Sequence, residues 1–375
     1  MRWIILLPML VLVVACASAP QAIIGTDGRA VSAFDIPGAS TIDVFVATTR
    51  EPDDDTKIFY SGDRNDSVGY AKVTVSIPPN HKPGQIERPR TQVPNPNTEF
   101  AILNPKNIPT SQEFVTDINR SLEKHPSSER DVLIFVHGYN TDLTSAILRT
   151  AQFAHDVNYP GVPVLFSWAS SGRTFDYVYD LNSALHARDA LLRTGEVLSQ
   201  TNADGFNVLA HSMGTLLTVE AMRQAALVSR GRRPENFRVK GIALAAPDID
   251  IDLFRKQIEV IPTGDIPIYI LTSTDDKALA LSSRIAGGRT RVGAAEATQL
   301  ADLGIIIVDL SELEDRDSVS HTKFANSPEA IRALAAGLRA GNSLETQSDR
   351  GFRISDLVGG GSFRILNEGQ RLVVE

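Results

Sequence analysis

The stretch FNVLAHSMGTLL, residues 206–217, decides how this chain folds. Its first five residues are a short apolar run of the kind that forms a buried strand. From Met213 to about 228 the apolar positions recur with helical spacing. The chain must therefore turn sharply at His211-Ser212, and a serine on such a strand-to-helix turn has its hydroxyl pushed into the open. Small residues two before and two after the serine are needed because neighbouring backbone comes close. Gly214 meets that need, and Ala210 carries one methyl more than the usual glycine. Taken alone, AHSMG also fits a serine that merely caps a helix. The strand before it and the helix after it favour a nucleophile.

Outward from this turn the same alternation continues. Apolar runs at 132–136 (VLIFV), 162–168 (VPVLFSW), 239–246 (VKGIALAA), 266–273 (IPIYILTS) and 304–310 (GIIIVDL) read as strands. Between and after them, helices are expected near 142–157, 182–199, 277–285 and 328–338. Strands rich in Val and Ile alternating with amphipathic helices require a mostly parallel sheet covered on both faces. Upstream, Thr110 and Glu113 have capping-box spacing ahead of a helix with Phe114, Val115, Ile118 and Leu122 on one side. Residues 42–48 and 71–77 read as strands, the second alternating as an antiparallel strand does. Residues 78–98 are proline-rich and aperiodic, as expected of a long loop.

A serine hydroxyl is a weak nucleophile and needs a base, normally a histidine oriented by a carboxylate. On an elbow of this kind the acid and then the base follow the serine along the chain. Of the seven histidines, only His321 lies far enough beyond Ser212 to fold back. His211 adjoins the serine and should point away from it. For the acid, Asp275 and Asp276 follow the strand ending near Ser273. Asp276 is taken as the orienter of His321 and Asp275 as a helix cap, with Asp248 as a further candidate that equally suits a turn or cap. The loop His137-Gly138-Tyr139-Asn140 follows the first central strand. An oxyanion hole needs one backbone N–H from such a loop and one from the residue after the nucleophile, here Tyr139 and Met213. His137 is read as bonding the loop rather than as a metal ligand, since no partner sits at ligand spacing. Arg284, Arg289 and Arg291 suit either a clamp for an anionic substrate or, preferably, a solvated basic loop. Trp168, Phe175, Tyr177 and Tyr179 are candidates for an acyl pocket, although core packing explains Trp168 equally well.

The chain has 375 residues, 42% hydrophobic and 22% charged, an ordinary globular balance. An apolar run follows Arg2 and reads as the core of an export signal. The single cysteine, Cys16, lies in Val13-Val14-Ala15-Cys16, which resembles the lipobox of bacterial lipoproteins. That resemblance implies cleavage after residue 15, lipidation of Cys16 and attachment to a membrane of the cell envelope, on its periplasmic face. The competing reading is plain secretion with cleavage after Ala19. Without residues 1–15 the chain carries 36 basic against 45 acidic side chains, a charge of −9, which gives no broad electrostatic reason to bind nucleic acid. No cysteine remains for thiol catalysis or disulfides. The expected organisation is a signal peptide (1–15), a tether (16–40), one catalytic domain (41–340), and a C-terminal extension (341–375) forming a hairpin or a tail.

In order along the chain, VFVATTR (44–50), GYAKVTVSIP (69–78), VHGYN (136–140), FSWASS (166–171), YVYD (177–180), AHSMG (210–214), APDID (246–250) and DKAL (276–279) resemble a bacterial family of α/β-hydrolases of unknown function, DUF900. The resemblance spans about 42–338. It implies an α/β-hydrolase fold with antiparallel N-terminal strands, an esterase- or lipase-like activity on a small-molecule or lipid ester, and no cofactor. The expected chemistry is acyl transfer through Ser212, His321 and Asp276, with activity falling as pH drops through an imidazole-like pKa. The alternatives are a thioesterase or peptidase with the same triad, or a non-catalytic envelope lipoprotein that uses the fold for binding.

Overall fold

The computed structural model describes residues 36–55, 58–89, 93–229, 238–262, 266–313, 319–340, 364–367 and 370–372. The expected signal peptide, Cys16 and nearly all of the tether lie outside the described residues, as does much of the C-terminal extension.

The chain runs β1 (Ser40–Pro52), β2 (Tyr60–Ile77), β3 (Ala101–Ile108), α1 (Ser111–Leu122), β4 (Asp131–Val136), α2 (Leu143–Asp156), β5 (Val162–Ser167), α3 (Tyr177–His186), α4 (Arg188–Leu198), β6 (Gly205–His211), α5 (Met213–Val228), β7 (Val239–Ala245), α6 (Ile251–Ile258), β8 (Ile268–Thr272), α7 (Lys277–Ile285), β9 (Ile306–Asp309), α8 (Lys323–Asn326), α9 (Pro328–Ala340), β10 (Arg364–Asn367) and β11 (Gln370–Leu372). The described strands form one sheet in the order β11-β10-β9-β8-β7-β6-β4-β5-β1-β2-β3. From β1 to β9 neighbouring strands are parallel. β2 and β3 add antiparallel at one edge and the β10–β11 hairpin at the other. This is the α/β-hydrolase architecture, a mostly parallel sheet with antiparallel N-terminal strands and helices on both faces. The first strand itself is parallel to β5, so the antiparallel pairing begins at β2.

β4 and β5 are fully buried, as strands covered on both faces must be. Phe114, Phe166, Leu217 and Phe254 lie in the apolar layer on the face covered by α1, α3, α4, α5 and α6. Phe135, Ile147, Phe153 and Phe324 lie in the layer on the other face, under α2, α8 and α9. After β4 the chain crosses to β5 on one side and then to β6 on the other. The crevice at such a reversal, beyond the carboxyl ends of the strands, is where α/β sheets bind ligands. It opens here between the β4–α2 loop and the β6–α5 turn.

Several local expectations change. The helix expected near 182–199 is two helices, beginning at Tyr177 and divided at Ala187. Thr110 caps α1 through Glu113 N–H, but the Glu113 carboxylate meets the Thr110 hydroxyl rather than its backbone N–H, so the capping box is not completed. β3, at residues for which the sequence pattern raised no expectation, contains Asn104-Pro105. It is an edge strand with an irregular register opposite Lys72–Thr74, where proline is tolerated.

Candidate active site

Ser212 sits between β6 and α5 at φ 52°, ψ −124°. A non-glycine residue there costs on the order of 1–3 kcal/mol and needs surroundings that impose it. They do so on both sides. Ser212 N–H donates to Ala245 O on β7 (2.9 Å), and Ser212 O accepts from Thr215 N–H (3.0 Å) and Asp248 N–H (3.3 Å). The side chain makes no capping bond to α5, so the alternative of a simple helix cap does not describe this serine. A Cβ on Gly214 would stand 2.2 Å from His137 O, and one on Gly138 would stand 2.8 Å from Ser212 Cβ. Both glycines are therefore obligatory for the β4 loop to rest on the elbow. Gly138 leads directly into Tyr139 in that loop. Met213 opens α5, and its N–H belongs to the first turn that has no acceptor within the helix.

The acid and base candidates come together. His321 Nδ1 donates to Asp276 Oδ2 at 2.7 Å, with the carboxylate fully buried. The other oxygen, Asp276 Oδ1, accepts Leu279 N–H at 2.9 Å and so caps α7. One side chain thus does both jobs divided above between Asp275 and Asp276. The His321 ring lies 4.8 Å from the His211 ring, and His321 O accepts from His211 Nε2 (3.1 Å), which sets His321 beside the elbow. His211, buried against this neighbour, has its pKa pushed well down by desolvation and then by His321.

Asp275 is not a cap. Both of its oxygens take Lys323 Nζ (2.8 and 3.0 Å), and Ser320 donates to Oδ2 at 3.0 Å. Burial opposes its ionisation, but the bonds from Lys323, Ser273 and Ser320 prevail and hold its carboxyl below the usual range. Lys323 Nζ also donates to Leu310 O and Ser311 O, and Lys277 N–H to Val319 O. These bonds tie the segment carrying His321 to the loops after β8 and β9. Asp248 is engaged elsewhere, accepting from Tyr177 Oη (3.0 Å) and Ser282 Oγ (2.7 Å) and pairing with Arg291 Nε (3.1 Å). Arg291 is buried, contrary to the expectation of a solvated basic loop, because a buried carboxylate awaits it. Arg284 is exposed, and Arg289 meets Asp252 only at 3.9 Å on the surface.

His137 supports the β4 loop, as expected. Its Nδ1 lies 2.9 Å from Gly138 O, and Nε2 lies 3.2 Å from both Trp168 O and Ser167 Oγ. Trp168 stacks on the ring at 5.0 Å and donates Nε1–H to His137 O. Burial, and then Arg50, push the His137 pKa down to about 3. Arg50 at the end of β1 is wholly buried and donates to Ser167 Oγ, Ser61 O, Ser170 O and Thr141 O. Desolvation lowers its pKa to about 10, so it stays charged at neutral pH. Asp180 accepts from Asn140 N–H, Ser170 Oγ and Ser171 N–H. Arg50 and Asp180 together lock the loops after β4 and β5. Neither stands out in the sequence, because Arg50 leads straight into Glu51 and the acidic run 53–55, and Asp180 lies in the first turn of a helix.

The aromatic residues do not form one pocket wall. Trp168 is in the core, Tyr179 packs under Arg64 at 4.5 Å, and Phe175 is 98% exposed. Tyr139 donates to Thr174 O and packs edge-on against Tyr177. A cleft of about 560 Å3 borders the elbow, lined by Gly138, His211 and Thr322 on one side and by Ile86, Arg88 and Arg149 on the other. Non-glycine residues with positive φ recur in these loops, at Asn140, Ser212, Ala246 and Ser320. Such outliers gather at functional sites.

Among solved structures, the fold is similar to an inhibited esterase B from Lactobacillus rhamnosis, at 11% identity and TM-score 0.39, covering 84% of this chain and 90% of that one. A fungal esterase from Rhizomucor miehei shows 13% identity and TM-score 0.38, covering 82% of this chain and 85% of that one. Lipase B of Aspergillus fumigatus shows 12% identity and TM-score 0.40, covering 68% and 62%. No curated protein matches the chain. A family profile does match, over residues 110–338, from α1 into α9. With that match across most of its length, and with this sheet order and elbow, the chain belongs to the family described as alpha/beta hydrolase of unknown function (DUF900).

Proposed function

We propose that the chain is a serine hydrolase that cleaves carboxylic esters through an acyl-enzyme. His321 takes the proton of Ser212 as the hydroxyl attacks the ester carbonyl. The oxyanion is received by the N–H groups of Tyr139 and Met213. His321 then gives the proton to the leaving alcohol and next activates a water that releases the acid. Asp276 holds His321 in the tautomer whose Nε2 can accept that proton. The observation that carries this reading is the uncapped, positive-φ Ser212 beside a histidine held at 2.7 Å by a buried carboxylate. The test is turnover of a series of p-nitrophenyl esters by the purified chain and by Ser212→Ala. Hydrolysis abolished by the substitution supports the reading, and hydrolysis equal in both proteins removes it. In the same reading, Cys16 is lipidated and anchors the enzyme to a membrane of the bacterial envelope. Several acyl chains at one residue suffice for stable anchoring.

A further inference from the structure

We propose that His81, His155 and Asp156 form a binding site for a divalent transition-metal ion of the zinc type, which clamps the loop between β2 and β3 onto the end of α2. The site lies outside the candidate triad. The three side chains each offer one ligand atom, all within 4.8 Å of one another. His81 Nε2 stands 2.7 Å from Asp156 Oδ1, and His155 Nδ1 stands 3.3 Å from the same oxygen. Tetrahedral zinc, with bonds of about 2.0–2.2 Å, sets its ligand atoms roughly 3.3 Å apart. The His155–Asp156 spacing already has that value, His81 needs to withdraw from Asp156 by about half an ångström, and the two imidazole nitrogens, within 4.8 Å of each other, need to settle at the same spacing. Two imidazoles and one carboxylate favour zinc, copper or nickel over magnesium or calcium, which prefer all-oxygen ligands.

The surroundings are those of a metal ligand set. A ligating histidine normally donates its other ring N–H to a carboxylate, which fixes ring and tautomer. His81 Nδ1 does so to Glu87 Oε2 at 2.8 Å. The second Asp156 oxygen is held by Gly84 N–H at 2.7 Å and by Gln152 Nε2. The His81 ring is further fixed edge-on to Phe100 and to His155. Asp156 is fully buried and His81 nearly so, while His155 is one-third exposed, leaving one side for a water as fourth ligand.

The site has a structural consequence for the cleft beside the elbow. The described residues between 78 and 100 form no strand or helix of their own. Gly84, at φ 85°, lies so close to α8 that a Cβ would stand 2.4 Å from Asn326 O. Gly84, Ile86 and Arg88 line the cleft. A metal joining His81 of this loop to His155 and Asp156 of α2 would fix that wall.

The experiment takes the purified full-length chain, strips it with EDTA, dialyses it and titrates it with zinc chloride by calorimetry, with metal content checked by mass spectrometry. The expected result is one zinc per chain with micromolar or tighter affinity, and a thermal transition raised by zinc. His155→Ala, which leaves the His81 pairs with Glu87 and Asp156 intact, should fold by circular dichroism and bind zinc at least tenfold more weakly. Asp156→Asn should weaken binding likewise. Absence of stoichiometric zinc in the wild-type chain overturns the proposal and leaves the cluster as an ion-pair knot. So does binding unchanged in both variants, which would put the metal elsewhere.

Discussion

Replacing Asp276 separates the two bonds that its carboxylate makes. Oδ1 caps α7 through Leu279 N–H, and Oδ2 receives His321 Nδ1–H. In Asp276→Asn the amide oxygen keeps the cap, since Asn and Asp are about equally good there. The amide NH2 then faces His321 Nδ1 and favours the tautomer protonated on Nε2, which cannot take a proton from Ser212. Loss of the carboxylate from such a triad lowers kcat by about 10^4, or roughly 5.4 kcal/mol of transition-state stabilisation. Stability should fall by less than about 1 kcal/mol. In Asp276→Ala the cap is lost as well, at about 1 kcal/mol, and a largely buried N–H is left unpaired at about 1–3 kcal/mol. That variant should lose the same activity and about 2–4 kcal/mol of stability. The assay pairs steady-state ester hydrolysis with urea unfolding for all three proteins. An Asn variant that keeps a tenth or more of wild-type kcat would refute the assignment of Asp276 and return Asp248 and Asp275 to consideration.

Ser212→Gly should be more stable than Ser212→Ala by about 1 kcal/mol while both are inactive, because glycine alone adopts φ 52°, ψ −124° freely, and the relief exceeds its extra unfolded-state entropy. Equal urea midpoints would show that the elbow stores no strain. The pH dependence of stability follows from His137, whose folded pKa is depressed to about 3 against about 6.5 unfolded. Above pH 6.5 the ring is neutral in both states and contributes nothing; below it only the unfolded chain takes the proton, so stability falls as pH drops. Between pH 7.5 and 5.0 the loss from this residue is on the order of 2 kcal/mol, and His137→Gln should show a correspondingly shallower decline in urea titrations. An unchanged slope would mean that His137 is not kept neutral by the fold. Labelling with an alkynyl fatty acid in bacterial cells should mark the wild-type chain and not Cys16→Ser, and equal labelling of both would exclude lipidation at that residue.

The parts of the fold legible in the sequence are those set by short-range pattern. The β6–Ser212–α5 turn was readable because an apolar strand, a serine between small residues and a helical repeat fall within twelve residues. What escaped depends on partners distant in the chain. The polar start of β2, from Tyr60 to about residue 70, has no apolar alternation and is a strand because it pairs with the end of β1. Asp275 and Asp276 are neighbours after the same strand, and only the arrival of Lys323 at one and His321 at the other distinguishes them. Arg291 reads as a loop cation until Asp248 is found beside it. Arg50 joins β1 to the loops after β4 and β5 through bonds to residues up to 120 positions away. A single sequence carries no periodicity that encodes such contacts.

Whether Ser212 is an activated nucleophile is tested by labelling the purified full-length chain with a fluorophosphonate, which reacts only with an activated serine. Peptide mass spectrometry then locates the adduct in the wild-type chain and in Ser212→Ala. One phosphonylated residue, Ser212, is expected, with labelling lost in the variant and reduced in Asp276→Asn. A folded wild-type chain that stays unlabelled, or an adduct on any other serine, would contradict that expectation.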